Sequence, residues 1–324
     1  MSKLSRVLLT GATGFVGQEL AETLVENESI ELHTVGRTHD GKADFFHKVK
    51  SIDENTNWGA VLPDLEFDAI IHLAARAHVM NDTKVDALSI YRKINVGGTF
   101  SLAKRALNMG IKRFIYVSSA KVNGEQSTKK PFRHDDEPQP KDPYGVSKKE
   151  AEEILKNLFE GTPTELVIIR PPLVYGPNVK GNFQALLALA GKNLPLPFGS
   201  LNNKRSLVAL DNLVSLLVKC VQYESELNAT FLVSDDYDVS TRELLEVLTL
   251  AQGKKPRMWS FPVALMRLGA VLLGKKAIAG RLFGNLQLDI SYTKKALNWE
   301  PPLSFHQAIK KCINSEVTSG KLKK

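Results

Sequence analysis

Between Arg6 and Arg170, short apolar runs alternate with longer stretches whose apolar residues recur at helical spacing. The runs are "RVLLT" (6–10), "IELHTV" (30–35), "DAIIHLA" (68–74), "KRFIYVSS" (112–119) and "TELVIIR" (164–170). Each is rich in Val, Ile and Leu and nearly continuous, the pattern of parallel strands covered by helices on both faces. Helical spacing falls between them, at about 14–27, 84–109 and 144–160. Strand–helix alternation of this kind predicts an α/β fold built on a doubly wound parallel sheet.

Beyond Arg170 the pattern loosens. "PPLVYGPNVKGN" (171–182) and "NLPLPFGSLNN" (193–203) read as loops, which in α/β proteins lie over the carboxyl ends of the strands, where ligands bind. "ATFLVSD" (229–235) reads as a further strand, and "STRELLEVLTLA" opens with Ser240 three residues before Glu243, a capping-box spacing. The expected division is a nucleotide-binding core over 1–172 with a returning segment at about 205–240. A smaller, discontinuous substrate region takes 173–204 and 241–324. "FPVALMRLGAVLLG" (261–274) is interrupted by Arg267 and too short to span a bilayer, so a buried or lid helix is expected there. No membrane span is expected elsewhere, and the N-terminal stretch lacks an apolar signal-type region, so a cytoplasmic protein is expected.

Composition changes this picture little. With 43% hydrophobic residues in 324, the chain can build a full core. The net charge of +8 comes largely from scattered lysine pairs, not from a basic stripe interleaved with aromatics, so no nucleic-acid partner is expected. Cys220 and Cys312 lack metal-ligand spacing, so neither a structural metal nor a disulfide framework is expected.

The first functional signal follows the first strand. "LLTGATGFVGQEL" puts Gly11, Gly14 and Gly17 at the strand end and inside the start of a helix. Gly11 permits a tight turn, Gly14 lets backbone approach a pyrophosphate, and Gly17 lets helix pack on strand. The helix N-terminus supplies N–H groups and a partial positive charge for the phosphates. This is a dinucleotide cradle of Rossmann type. At the end of the second strand, where NAD sites carry a carboxylate for the ribose, the chain has Gly36 and Arg37. A guanidinium suits a 2′-phosphate, which favours NADP. Stacking of Arg37 on adenine is the alternative and would leave NAD acceptable.

The second signal is "DPYGVSKKEAEEIL" (142–155), which sets Tyr144 four residues before Lys148, on one face of a helix. Taken with the glycine cradle, "IHLAAR" (71–76), "NVGGT" (95–99), "VSSAKVNG" (117–124) and "YGVSK" (144–148), it makes the chain resemble the extended short-chain dehydrogenase/reductase family. Within that family the resemblance is to nucleotide-sugar epimerases, reductases and dehydratases. It runs to "RPPLVYGP" (170–177), "KRSLVALDNL" (204–213) and "LNWEPPLSFHQAI" (297–309), nearly the whole chain.

The resemblance implies that Tyr144 is the acid/base at the sugar hydroxyl, that Lys148 holds the nicotinamide ribose, and that Ser119 hydrogen-bonds the reacting oxygen, with Ser118 as the competing serine. A free tyrosine titrates near pH 10, about three units too high for a base, and a neighbouring ammonium and an oxidised nicotinamide would each favour phenolate. The resemblance places Phe15, Val16, Ile52, Leu73, Ala74, Ala75, Asn95, Pro171 and Leu173 along the dinucleotide as well. It places Lys121, Asn182, Phe183, Arg205 and Arg281 at the nucleotide sugar, Asn182 and Phe183 at the base and the two arginines at the diphosphate.

Three positions depart from the family's pattern. Ala120 and Lys121 stand where dehydratases carry an Asp–Glu pair, which excludes a 4,6-dehydratase. Asn123 stands where Tyr is common, and Ser51 replaces a common aspartate near adenine. The expected reaction is hydride exchange at C4 of a UDP-hexose or UDP-N-acetylhexosamine through a 4-keto intermediate. It would run as a 4-epimerase, or as an NADPH-dependent 4-ketoreductase that stops halfway, in cell-surface polysaccharide synthesis. A non-catalytic, NADP-sensing binding protein is the remote alternative. Family members commonly pair the helices near 84–109 and 144–160 about a two-fold axis, so the stripe Ala151, Ile154, Leu155, Leu158 and Phe159 leads to the expectation of a homodimer.

Overall fold

The computed structural model describes residues 5–62, 65–76 and 87–318. The strands are β1 (Ser5–Thr10), β2 (Ile30–Gly36), β3 (Phe45–Lys48), β4 (Ala69–His72), β5 (Arg113–Val117), β6 (Glu165–Arg170), β7 (Leu173–Tyr175), β8 (Arg205–Ala209), β9 (Ala229–Leu232) and β10 (Asp238–Val239). The helices are α1 (Phe15–Val25), α2 (Trp58–Val61), α3 (Ala87–Tyr91), α4 (Thr99–Asn108), α5 (Pro143–Phe159), α6 (Asn182–Lys192), α7 (Leu210–Val221), α8 (Thr241–Ala251), α9 (Val263–Leu272), α10 (Lys276–Phe283), α11 (Ser291–Leu297) and α12 (Phe305–Thr318).

Seven parallel strands form one sheet in the order β3-β2-β1-β4-β5-β6-β9. The order reverses between β1 and β4, which opens the crevice at their carboxyl ends where such sheets bind ligands. Successive residues of each strand feed opposite faces. Val7, Leu9, Ile71 and Ile115 pack with α1 and α7 on one side. Leu8, Ile70, Phe114 and Tyr116 pack with α4 and α5 on the other. Every strand predicted between Arg6 and Arg170 is present, and the run at 229–235 supplies β9.

A three-stranded sheet, β10-β8-β7, stands beside the large one and joins α6, α8 and α12 in a core around Tyr175, Phe183, Leu245 and Phe305. Within the segment from about 205 to 240, β9 therefore enters the large sheet, whereas β8 and β10 pair in the small one. Phe15 packs against both cores and ties the start of α1 to the small sheet.

The helix predicted near 84–109 begins, among the described residues, at Ala87 and runs unbroken to Asn108, with a π-helical segment from Arg92 to Gly98 in its middle. Its glycines face a close neighbour: a Cβ on Gly97 would lie 2.8 Å from Glu54, and one on Gly98 would lie 2.9 Å from the Ile52 carbonyl oxygen. Widened turns of this kind recur at functional sites, and here the segment carries Asn95.

Two apolar stretches singled out in the sequence take definite places. The stripe on α5 is mostly used within the chain: Ala151, Leu155 and Phe159 are buried against the sheet, while Ile154 and Leu158 stay half-buried. The segment 261–274 does form a helix, but α9 buries none of its residues, so of the buried or lid helix expected there the buried alternative is not met. Its inner side, Val263, Met266 and Ala270, rests on Ala279 and Phe283 of α10, and its outer side has no partner in the chain's cores. Among the described residues no helix is long and apolar enough to cross a membrane.

Candidate active site

The glycine cradle lies where the sequence places it. Gly11 adopts φ +80°, and the Gly14 N–H donates to its carbonyl at 2.9 Å to close the turn. A Cβ on Gly17 would lie 2.1 Å from the Gly11 oxygen, and one on Gly11 would lie 2.8 Å from the Ala74 nitrogen. No other residue fits either place, because the obstacles are backbone atoms. No side chain caps α1, which starts at Phe15, so its first N–H groups are left for an anion. The cradle therefore fits a dinucleotide pyrophosphate.

Behind the cradle lies a buried polar chain that the sequence does not announce. Thr10 and His72 are register partners on β1 and β4, and the Thr10 hydroxyl meets His72 Nδ1 at 2.7 Å. His72 Nε2 meets the Thr99 hydroxyl at 3.0 Å. The same Thr10 hydroxyl accepts the Ala74 N–H at 3.2 Å, and the Leu73 N–H donates to the Thr10 carbonyl. Leu73 and Ala74 are thus held along the cradle, with Ala75 following them in the chain. Burial, with the Lys148 charge adding to it, pushes His72 down to about 3, so the imidazole is neutral and can serve both hydroxyls. The available signal was two polar residues ending adjacent parallel strands.

On the adenosine side, Arg37 is exposed just past the last residue of β2. Ile52 is half-buried beneath Gly98. Ser51, which replaces the expected aspartate, donates to the Asp53 carboxylate at 2.8 Å and so keeps an acid close by.

At the reacting end, Asp142 caps α5 by accepting the Gly145 N–H at 2.7 Å, and Pro143 occupies the first turn. Tyr144 is partly exposed, with its ring edge-on to Tyr91 at 6.0 Å. Lys148, one turn on, is 2% exposed. Its ammonium donates to the Val117 carbonyl at 2.9 Å and lies 4.5 Å from the centre of the Tyr116 ring. Loss of water, then the Asp142 carboxylate and Tyr91, pushes the Tyr144 phenol above its ordinary value. Of the two charges expected to favour phenolate, the Lys148 ammonium is turned to the end of β5, and the other belongs to the oxidised nicotinamide. Burial lowers Lys148 itself to about 7, against the partial support of Glu152.

The two serines separate cleanly. Ser118 is buried, and its hydroxyl has no hydrogen-bond partner among the described residues, whereas Ser119 is partly exposed and caps the turn at Ala120–Val122, accepting the Lys121 N–H at 3.3 Å. The Ala120 N–H donates to the Pro171 carbonyl at 2.9 Å, which sets the path from Pro171 to Leu173 beside that turn. Lys121 forms an ion pair with Asp142, so its ammonium braces the start of α5 rather than reaching out alone to a sugar.

Asn95 is a connector. Its amide donates to the Ser147 hydroxyl at 3.0 Å and exchanges hydrogen bonds with the Arg76 backbone, and Ser147 donates to the Tyr144 carbonyl at 2.8 Å. The loop after β4, the π-helical segment and α5 are thereby fixed to each other. Asn123 is buried and accepts from Arg170 at 3.1 Å, and Arg170 is paired with Glu152 through two bonds of 3.0 and 2.5 Å. Both charges of that pair are about 2% exposed, so each needs the other. Where the family often has tyrosine, this chain therefore has a structural asparagine.

Farther out, the structure brings Arg205 and Arg281 together. Burial and the Arg281 charge pull Arg205 down to about 10, and its guanidinium donates to the Gly284 carbonyl at 3.1 Å. Two cations held near each other make a receptive place for an anion. Asn182 is exposed at the first turn of α6, but Phe183 is corrected: its ring is fully buried and stacks on Tyr175 at 5.0 Å, so it secures the helix and does not face a base.

A model of the NAD dependent epimerase/dehydratase family matches residues 7–233. The chain belongs to that family. The UDP-glucose 4-epimerase of Vibrio cholerae is 44% identical over 307 residues, 94% of this chain and 93% of the relative. The N-acetyl-alpha-D-glucosaminyl-diphospho-ditrans,octacis-undecaprenol 4-epimerase of Escherichia coli O157:H7 is 29% identical over 81% of this chain and 77% of its own. Among solved structures, the UDP-glucose 4-epimerase of Thermotoga maritima with UDP-glucose superposes with a TM-score of 0.76 at 21% identity, covering 97% of this chain and 99% of that one. At that identity the likeness speaks for the fold.

The buried lysine makes stability depend on pH in a defined direction. With Lys148 lowered to about 7, the folded, dinucleotide-free protein binds fewer protons than the unfolded chain from there up to the ordinary lysine value of about 10.4. Its contribution to the unfolding free energy therefore rises with pH across that window. Urea unfolding at successive pH values should show the rise in the native chain and lose it in Lys148→Met, and an equal rise in both would rule this out.

Proposed function

We propose that this protein is a 4-epimerase of a UDP-sugar, a UDP-hexose or UDP-N-acetylhexosamine, serving polysaccharide synthesis. The observation that carries the reading is the gathering, at the carboxyl end of β5 and beside the glycine cradle, of an accessible Ser119, a partly exposed Tyr144 and a buried Lys148. The Vibrio cholerae relative supports the choice of reaction over nearly the full length. Gly11, Gly14, Gly17, Ala74, Asn95 and Lys148 are the residues that would hold the dinucleotide, directly or through their neighbours. When bound, the nicotinamide supplies a hydride acceptor and donor and a positive charge that favours phenolate.

Tyr144 takes the proton of the sugar 4-hydroxyl while hydride leaves C4, giving a 4-keto sugar. Ser119 hydrogen-bonds the same oxygen. After the keto sugar turns over, hydride returns to the opposite face of C4 and Tyr144 gives the proton back, so atoms and charge balance over the cycle. Arg205 and Arg281 hold the diphosphate, and Ala120 and Lys121 leave no acid–base pair for loss of water. Replacing Tyr144 by Phe removes only the ionisable hydroxyl, so turnover should fall on the order of 10²-fold or more while dinucleotide binding persists in a fluorescence titration. Retention of most activity would refute the assignment.

Arg37 supports a second reading, an NADPH-dependent 4-ketoreductase, because it is exposed where NAD sites carry a carboxylate. Arg37→Ala should cost about 1.5–3 kcal/mol of NADP affinity and little NAD affinity. Calorimetric titration with both cofactors measures this, and equal losses would remove the NADP preference and leave the epimerase.

A homodimer through α4 and α5 belongs to the same proposal. Ile154 and Leu158 remain half-buried on α5, and Phe100 on α4 is 39% exposed, which leaves apolar surface for a symmetric partner. Light scattering at micromolar concentration should return about twice the 35.8 kDa chain mass. A value near the chain mass would exclude the dimer.

A further inference from the structure

The exposed helix α9 has no use in the chemistry above. Its inner side rests on α10, yet Leu265, Leu268, Val271 and Leu272 are between 51% and 78% exposed, and Leu273 and Ile278 extend the same apolar surface. A helix that is apolar all round ordinarily lies in a protein core or in lipid. This one lies in neither core of the large sheet nor in that of the small one. Large exposed apolar patches on soluble proteins mark interaction surfaces.

Charge points to what covers it. From Gly253 to Leu288 the chain carries seven lysines and arginines and no aspartate or glutamate. Lys255, Arg257 and Lys275, just before and just after α9, are exposed. Trp259, an aromatic side chain of the kind that sits at membrane–water boundaries, is 48% exposed in the same stretch. A protein partner with an apolar groove would call for the apolar stripe alone. Exposed cations on both sides of that stripe, with no acid between them in the chain, match a surface that is negatively charged throughout and apolar beneath, and basic residues near such a surface each add to attachment.

We propose that α9 docks this protein on an anionic lipid bilayer as an interfacial, non-spanning helix. Its Leu-rich outer side enters the headgroup boundary, the cations before and after it meet lipid phosphates, and Trp259 sits at the edge. The dock adjoins the substrate region. Val263 and Arg267 of α9 line, together with Phe283 and Gly284, a cavity of about 410 Å³, and Gly284 is the residue whose carbonyl holds Arg205. The attachment brings that cavity to the lipid surface and does not alter the residues that carry the reaction.

The full chain tests this with vesicles of phosphatidylcholine alone and vesicles with equal parts phosphatidylglycerol. Trp58 and Trp299 are 4% and 6% exposed, so a change in tryptophan emission on mixing reports on Trp259. The expected result is co-sedimentation with the anionic vesicles, a blue shift of the emission, and release as salt is raised, because attraction between exposed charges is screened within about 8 Å at physiological ionic strength. Leu268→Glu with Leu272→Glu changes two exposed positions and should cut the vesicle-bound fraction at least tenfold, with circular dichroism and dinucleotide binding as in the parent. Lys255→Gln with Arg257→Gln should weaken binding and flatten its salt dependence. Failure of the parent to sediment with anionic vesicles, or undiminished sedimentation of the double glutamate variant, would overturn the proposal. So would a chain that binds no vesicles but loses self-association in that variant, since α9 would then be an interface between copies.

Discussion

A buried ammonium must be met by oxygen, and at the head of this sheet the oxygen is the Val117 carbonyl, 2.9 Å from Lys148 Nζ. That bond sets the rotation and height of α5 against the end of β5. Once it is made, Tyr144 is presented one turn earlier, and Ala151, Leu155 and Phe159 are turned to the sheet in the following turns. The Glu152–Arg170 pair, about 2% exposed on both sides, fastens the helix to β6 below, and Asn95 fastens it above through Ser147. Few positions of α5 are free to move.

This explains why reactive groups gather where they do. In a parallel sheet every strand delivers its carboxyl end to the same edge, so the loops after β1, β4 and β5 meet without any further device. The reversal of strand order between β1 and β4 opens the crevice, and the glycines let backbone fill it closely. His72, kept neutral by burial, spends its ring nitrogens on Thr10 and Thr99 and stiffens the wall behind that crevice. The site is rigid at the dinucleotide and more open toward the small sheet, where Arg205 and Arg281 come from segments far apart in the chain.

Much of this was legible before the structure. Short apolar runs rich in Val, Ile and Leu that alternate with helical stretches suit parallel strands covered on both faces, and each of those found between Arg6 and Arg170 became one. Gly11 and Gly17 were legible because backbone contact leaves no room for a Cβ. Short, irregular pieces were less legible: β3, β7, β8 and β10 have two to five residues and too little periodicity to read, so the small sheet emerged only from pairing. Phe183 was misread because an aromatic beside an asparagine looks the same whether it faces a ligand or a core.

By itself the sequence determined the fold class and the place of the cradle, since these rest on local rules of period and turn chemistry, while the candidate reactive residues came from the resemblance to a family. The family resemblance pointed to Ser119 over Ser118, and only the tertiary structure showed that Ser118 is buried while Ser119 is partly exposed and caps a turn, because burial and capping depend on what lies across the turn. It alone tied Lys121 to Asp142, turned Lys148 to a carbonyl, raised the phenol of Tyr144, and set Arg281 beside Arg205. It alone left α9 uncovered, since an apolar helix in a sequence does not say which neighbours remain to bury it. Each of these is a matter of distance and dielectric between residues remote in the chain, and no spacing along the chain encodes that.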